Sequence, residues 1–138
     1  YMAAGARLRC PFSTLGLTAE AASTVTFPQL MGRQRAAWFL MAAEWMSAAE
    51  CKDAGLALEV VPDAMLMSRV REQAAKLAAL PLASLIQTKS LIMDPLRPQL
   101  RESAQAENAG LAALLGGPAN REALAAFREK RAADFSGL

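Results

Sequence analysis

Residues Ser47 to Asp63 read SAAECKDAGLALEVVPD. Ser47 with Glu50 three positions on forms a capping box, which predicts a helix starting at Ala48. Gly55 fits the left-handed position that closes a short helix. Leu56 to Val61 is an apolar, partly β-branched run ended by Pro62, the pattern of a buried strand. Upstream, Ala6, Leu8 and Cys10 alternate with Arg7 and Arg9, which predicts a half-buried strand over 6–10.

Beyond Pro62 the pattern is helical as far as about residue 134. Met67, Val70, Ala74 and Leu77 make one apolar stripe, and Pro81 breaks that helix. Leu82 to Met93 is a second helix, bounded by Pro95 and Pro98. Leu100, Ala104, Leu111, Leu114 and Leu115 mark a third, closed by Gly116-Gly117. A fourth is expected from about Asn120 to Ala133. Stripes of this kind are expected to face a core.

The chain carries a net charge of +2 with 20% charged residues, too balanced for a nucleic-acid binder, and its basic residues are scattered. No apolar run reaches membrane-spanning length. Cys10 and Cys51 lack metal-ligand spacing and read as buried thiols. The absence of histidine excludes His-based triads and His-ligated metals within these residues.

Glu20, in LGLTAEAASTVTFP (15–28), is the only acidic residue among the first 43. Folded inward among Leu, Ala and small hydroxyl residues, its carboxylate would lose hydration and become able to take and return a proton near neutrality. On composition alone it also fits the first turn of a surface helix.

Three pieces, PFSTLGLTAEAAST (11–24), PQLMGRQRAAWFLMAAEWMSAAECKDAGLALEVVP (28–62) and AAFREKRAADF (125–135), resemble the crotonase (enoyl-CoA hydratase/isomerase) superfamily. The middle piece is the most specific, with Ala57 where the family usually has Val. The resemblance implies the C-terminal portion of the α/β crotonase (ββα spiral) fold, mostly helical with a few short strands. Residues 1–62 would end the spiral core and carry the acid/base segment. Residues 63–138 would form a helical region for oligomerisation and CoA contact.

Family chemistry uses two backbone N–H groups to stabilise an enolate of the acyl thioester. The resemblance implies that both lie in an N-terminal half missing from these residues. Hydratases of the family carry a glutamate where this chain has Phe12. Delta-3, delta-2-enoyl-CoA isomerases carry theirs at the position of Glu20, in a context with glycines where this chain has Ala21-Ala22. The pattern therefore implies an enoyl-CoA isomerase, with Glu20 catalytic and Phe12, Leu15, Gly16, Phe127 and Lys130 contacting substrate. Phe127 and Lys130 would meet the CoA end. Alternatives are a hydratase, a thioester hydrolase, a dehalogenase-like reaction, or a non-catalytic assembly fragment. No metal and no separate cofactor is implied, since coenzyme A enters as part of the substrate. Expected partners are the missing half and further copies in a homotrimer or hexamer, without nucleic acid or membrane. The expected compartment is cytoplasmic if bacterial, mitochondrial or peroxisomal if eukaryotic.

Overall fold

The computed structural model describes residues 1–138. Four two-residue strands and seven α-helices follow the chain: β1 (Met2–Ala3), β2 (Arg7–Leu8), α1 (Ser23–Met31), α2 (Arg33–Ala42), β3 (Met46–Ser47), α3 (Ala48–Asp53), β4 (Val60–Val61), α4 (Leu66–Ala78), α5 (Leu82–Met93), α6 (Arg97–Leu114) and α7 (Pro118–Glu129). A single 3₁₀ turn, Ser13–Leu15, precedes α1, and another, Asp63–Met65, leads into α4. No helix is long and apolar enough to cross a membrane.

The chain forms two compact units that interleave along the sequence, residues 1–8 with 46–99, and residues 9–45 with 100–138. In the first, β1 pairs in parallel with β4, Met2 opposite Val60, and β2 pairs antiparallel with β3, Leu8 opposite Met46. Asp63 accepts a hydrogen bond from the Gly5 amide at 2.8 Å, where a side chain on Gly5 would collide with its carboxylate. Met46, Ala48, Cys51, Ala54, Ala57 and Val61 form the buried centre of this unit.

The capping box at α3 is present in both directions. The Glu50 amide donates to Ser47 Oγ at 3.3 Å, and the Ser47 amide donates to Glu50 Oε2 at 2.8 Å. At the other end Gly55 takes φ +76, its amide bonding the Lys52 carbonyl while the Leu56 amide bonds that of Cys51. That 5→2 and 6→1 pair is the Schellman stop. The stop explains why the apolar run yields less strand than its composition suggests. Leu56 is still closing the helix, and only Val60–Val61 pair. The expected strand over 6–10 likewise shortens to Arg7–Leu8.

Two helical expectations are corrected. The stripes of α4 and α5 are not core within this chain, since neither helix contains a buried residue. Met67 and Leu77 are each 56% exposed, Leu82 and Leu91 each 69%. Their unit offers them short two-residue strands rather than a wide apolar face to pack on. The last helix ends at Glu129, not Ala133, because Lys130 turns left-handed at φ +57.

Ser47→Ala removes the side chain at the centre of the α3 cap. It should destabilise the intact protein by about 1 kcal/mol in urea unfolding. An unchanged midpoint would mean that the cap does not hold α3.

Candidate functional site

The second unit builds a loop between two tertiary anchors. Its buried residues include Ala36, Phe39 and Leu40 of α2, Ala43 just after that helix, and Ala123 and Ala126 of α7. The Phe27 and Phe39 rings, 5.6 Å apart, tie α1 to α2. On this base the chain runs from the 3₁₀ turn through Leu17 to Glu20 and into α1.

The first anchor is Asn120, buried near the start of α7. Its Nδ2 donates to the Leu15 carbonyl at 2.8 Å, and its Oδ1 accepts from the Gly116 amide at 3.0 Å. Gly16 sits at φ +64, and a Cβ there would lie 2.6 Å from the backbone of Ala119 and Asn120. Only glycine suits that conformation and that approach. Gly16 therefore presses the loop on the start of α7.

The second anchor is Glu107, buried on α6. Its Oε2 accepts from the Ala22 amide at 2.6 Å. Its Oε1 accepts from the Thr24 amide at 2.9 Å, the Thr24 hydroxyl at 2.5 Å and the Ser103 hydroxyl at 3.2 Å. Burial pushes this carboxyl up, but the bonds from Thr24, Ala22 and Ser103 outweigh it and hold the group below its usual range. The amides of Ala22 and Thr24 are among those that the start of α1 cannot satisfy within the helix. Residue 22 at the N-cap is alanine and supplies no side-chain acceptor, so Glu107 supplies one from α6.

Between the anchors stands Glu20. The Ser23 amide bonds its carbonyl at 3.1 Å, closing a four-residue turn. Both central residues have positive φ, Ala21 at +61 and Ala22 at +55, the pattern of a type I′ turn. Each alanine there bears a cost of about 1–2 kcal/mol relative to the right-handed region. Glu20 is outside α1, which begins at Ser23, so the helix-start reading does not describe it. Nor does this chain bury it, so the expected desolvation is corrected: Glu20 is exposed while its neighbour Ala19 is buried. The turn lifts one residue away from the apolar floor.

Beside this turn lies a cavity of about 330 Å³ lined by Phe12, Leu17, Ala19, Thr24, Leu40 and Met41 among others, with no carboxylate in its wall. Phe12 and the neighbour of Glu20 thus share one hollow. Leu15 and Phe127 line a second, of about 490 Å³, with Arg9, Arg131 and Phe135. Phe127 is 82% exposed, and Lys130 is exposed at the cap of α7. The tail beyond Lys130 folds back, Arg131 pairing with Glu122 and the Asp134 amide donating to it at 2.9 Å. Glu107 and Asn120 are not legible as site residues from the sequence alone. The groups they anchor, Leu15 for Asn120 and Ala22 and Thr24 for Glu107, are distant in sequence, and a glutamate inside an alanine-rich helix gives no local signal of burial.

Arg131, with the Asp134 amide, pulls the Glu122 carboxyl down to about 2. A carboxylate depressed in the folded state contributes its full stability above its ordinary value of 4.5 and loses it as pH falls towards 2. In Arg131→Met the acid-induced loss of stability over that window should shrink, as read by thermal unfolding between pH 5 and 2. A profile parallel to wild type would contradict the pairing. Ala21→Gly, at an exposed position with φ +61, should stabilise the intact protein by about 0.5–1 kcal/mol. Destabilisation in urea would mean that the left-handed turn is not populated.

A family model described as enoyl-CoA hydratase/isomerase matches residues 1–137. The enoyl-CoA delta isomerase 2 of Rattus norvegicus is 36% identical over 92 residues, which are 67% of this chain and 24% of that protein. A 4-chlorobenzoyl coenzyme A dehalogenase of an Arthrobacter species is 30% identical over 117 residues, 85% of this chain and 42% of that one. The crystal structure of an enoyl-CoA hydratase/isomerase from Pseudoalteromonas atlantica superposes with a TM-score of 0.92 at 32% identity, covering 97% of this chain and 54% of that chain. The chain thus spans about half the length, or less, of the relatives it matches.

Proposed function

The chain belongs to the enoyl-CoA hydratase/isomerase family, with the crotonase fold, and from that premise we propose that it carries the acid/base part of an isomerase site acting on 3-enoyl-CoA. The observation that carries this reading is the placement of Glu20. It is an exposed carboxylate on a fixed turn, beside an apolar cavity whose wall holds Phe12 and no acid. The Glu20 carboxylate takes a proton from the α carbon of the 3-enoyl thioester. The electron pair spreads onto the thioester oxygen and along the former double bond. Glu20 then returns the proton to the γ carbon, leaving 2-enoyl-CoA with no atom gained or lost. One base serves both carbons because they lie on one face of a short conjugated system.

Glu107 is unsuited to that role. Four donors occupy its oxygens, and they hold it ionised below the usual range. Phe12 favours isomerisation over hydration, since hydratases of the family have a second carboxylate at this position to orient a water, and here a phenyl ring lines the cavity instead. The two N–H groups that stabilise the enolate come, in this proposal, from the part of the fold outside these 138 residues. The span of about half of the solved relative supports that division. Thioester binding at Leu15 and Gly16, and CoA contact at Phe127 and Lys130, are part of the same proposal. The exposed stripes of α4 and α5 support burial against that other part or against further copies in a trimer or hexamer. The dehalogenase relative supports a second reading, in which the carboxylate at the Glu20 position attacks the halogen-bearing ring carbon of an aryl-CoA, halide leaves, and water hydrolyses the resulting aryl ester.

Glu20→Gln keeps the shape of the side chain and removes the proton acceptor. Formation of conjugated enoyl-CoA by the intact protein should fall by about 10²–10⁴-fold while thioester binding stays the same. Near-normal turnover would exclude Glu20 as the base. Phe12→Glu should bring measurable hydration of 2-enoyl-CoA. A wild-type protein that hydrates crotonyl-CoA as fast as it isomerises would exclude the isomerase assignment.

A further inference from the structure

We propose that Glu107 is a positioning residue for Glu20, its buried carboxylate fixing the left-handed turn that aims the Glu20 side chain. This inference rests on Glu20 being the acid/base.

A helix normally caps itself with a Ser, Thr, Asp or Asn at its first residue, which satisfies the same amides locally. Here the N-cap is Ala22, and the acceptor comes from a helix 85 residues further along the chain. A local cap would satisfy the helix but would leave its start unattached to α6. The carboxylate also reaches back beyond the helix. Its 2.6 Å bond lands on the amide of Ala22, a central residue of the turn that begins at Glu20. Both central residues hold φ values that alanine avoids, so the turn persists only where its surroundings hold it. The surroundings are lopsided. Ala19 is buried on one side, Glu107 grips the other, and the exposed Ala21 between them adds little.

The rest of the carboxylate's shell keeps it a fixed acceptor. Thr24 donates twice to the same oxygen, and Ser103, one turn earlier on α6, lies within hydrogen-bond reach of both the Thr24 hydroxyl at 2.8 Å and Glu107 at 3.2 Å, its single proton serving one of them at a time. Thr24 also lines the cavity beside Phe12. One cluster therefore joins α6, the turn of Glu20 and the cavity wall. If Glu107 loses its charge or one oxygen's acceptor capacity, the turn can relax towards ordinary φ values, and the Glu20 carboxylate moves relative to the α and γ carbons. A displacement of about an ångström at a reacting group lowers turnover by about 10²-fold without changing how the substrate is held.

The test compares Glu107→Gln with Glu20→Gln in the intact protein, using 3-enoyl-CoA. For Glu107→Gln the expected result is a kcat lower by about 10- to 100-fold with KM within about twofold. Amide hydrogen exchange across residues 21–24 should accelerate in parallel. Adding Ala21→Gly and Ala22→Gly to Glu107→Gln should recover part of kcat, because glycine keeps the turn without strain. If Glu107→Gln does not fold, Thr24→Val removes one donor of the cluster and should lower kcat by a smaller factor with KM retained. Faster exchange with unchanged kcat would reduce Glu107 to a helix cap and overturn the proposal, as would kcat and KM changing together. Normal turnover in Glu20→Gln would overturn the acid/base reading and this inference with it. An inactive Glu20→Gln beside a fully active Glu107→Gln would overturn this inference alone.

Discussion

The bonds that Ala22 and Thr24 donate to Glu107 span more than eighty residues of sequence and set the start of α1, the turn before it and one wall of the cavity at once. Burying a carboxylate is costly unless donors replace the water it loses. Here two amides and two hydroxyls do so. The cost of burial makes the arrangement specific, because moving α1 away would leave the buried charge with the Ser103 hydroxyl as its one remaining donor of these four. Asn120 does the same work at the other end of the loop with a neutral amide, and Gly16 lets the two backbones approach.

The two carboxylates near the turn divide the labour by environment. Glu107 has every oxygen occupied and stays ionised as scaffold. Glu20, exposed on its turn beside the apolar cavity, is the carboxylate to which the proposed reading gives the proton transfer. This chain by itself leaves Glu20 in water. In the proposed reading the remaining surroundings of Glu20 are the bound thioester and the part of the fold outside these residues. The exposed faces of α4 and α5 point the same way, since their leucines and methionines have no interior of their own to fill.

The local features were legible because their causes are local. The capping box of Ser47 and Glu50, the stop at Gly55 and the helix over Leu82–Met93 each follow from residues within a turn or two of one another. The stripes of α4 and α5 were legible as helices but not as exposed surface, because periodicity reports a face and says nothing of what covers it. The early end of α7 falls at the left-handed Lys130, beyond which Arg131 pairs back with Glu122, a contact that helical periodicity does not announce. The anchors at Glu107 and Asn120 were invisible for the same reason, each bonding a backbone group about a hundred residues away. The alanines at 21 and 22 depart from the family's glycines, and their positive φ values give the physical reason that glycine suits the place.

The most direct measurement follows the proton itself. The intact protein would be given 3-enoyl-CoA deuterated at the α carbon, and the product located by NMR. One glutamate working both carbons predicts conjugated 2-enoyl-CoA formed more slowly than from unlabelled substrate, with part of the deuterium delivered to the γ carbon. A 3-hydroxyacyl-CoA as the main product, or a conjugated product whose rate is indifferent to the label and whose γ carbon carries none, would contradict the account.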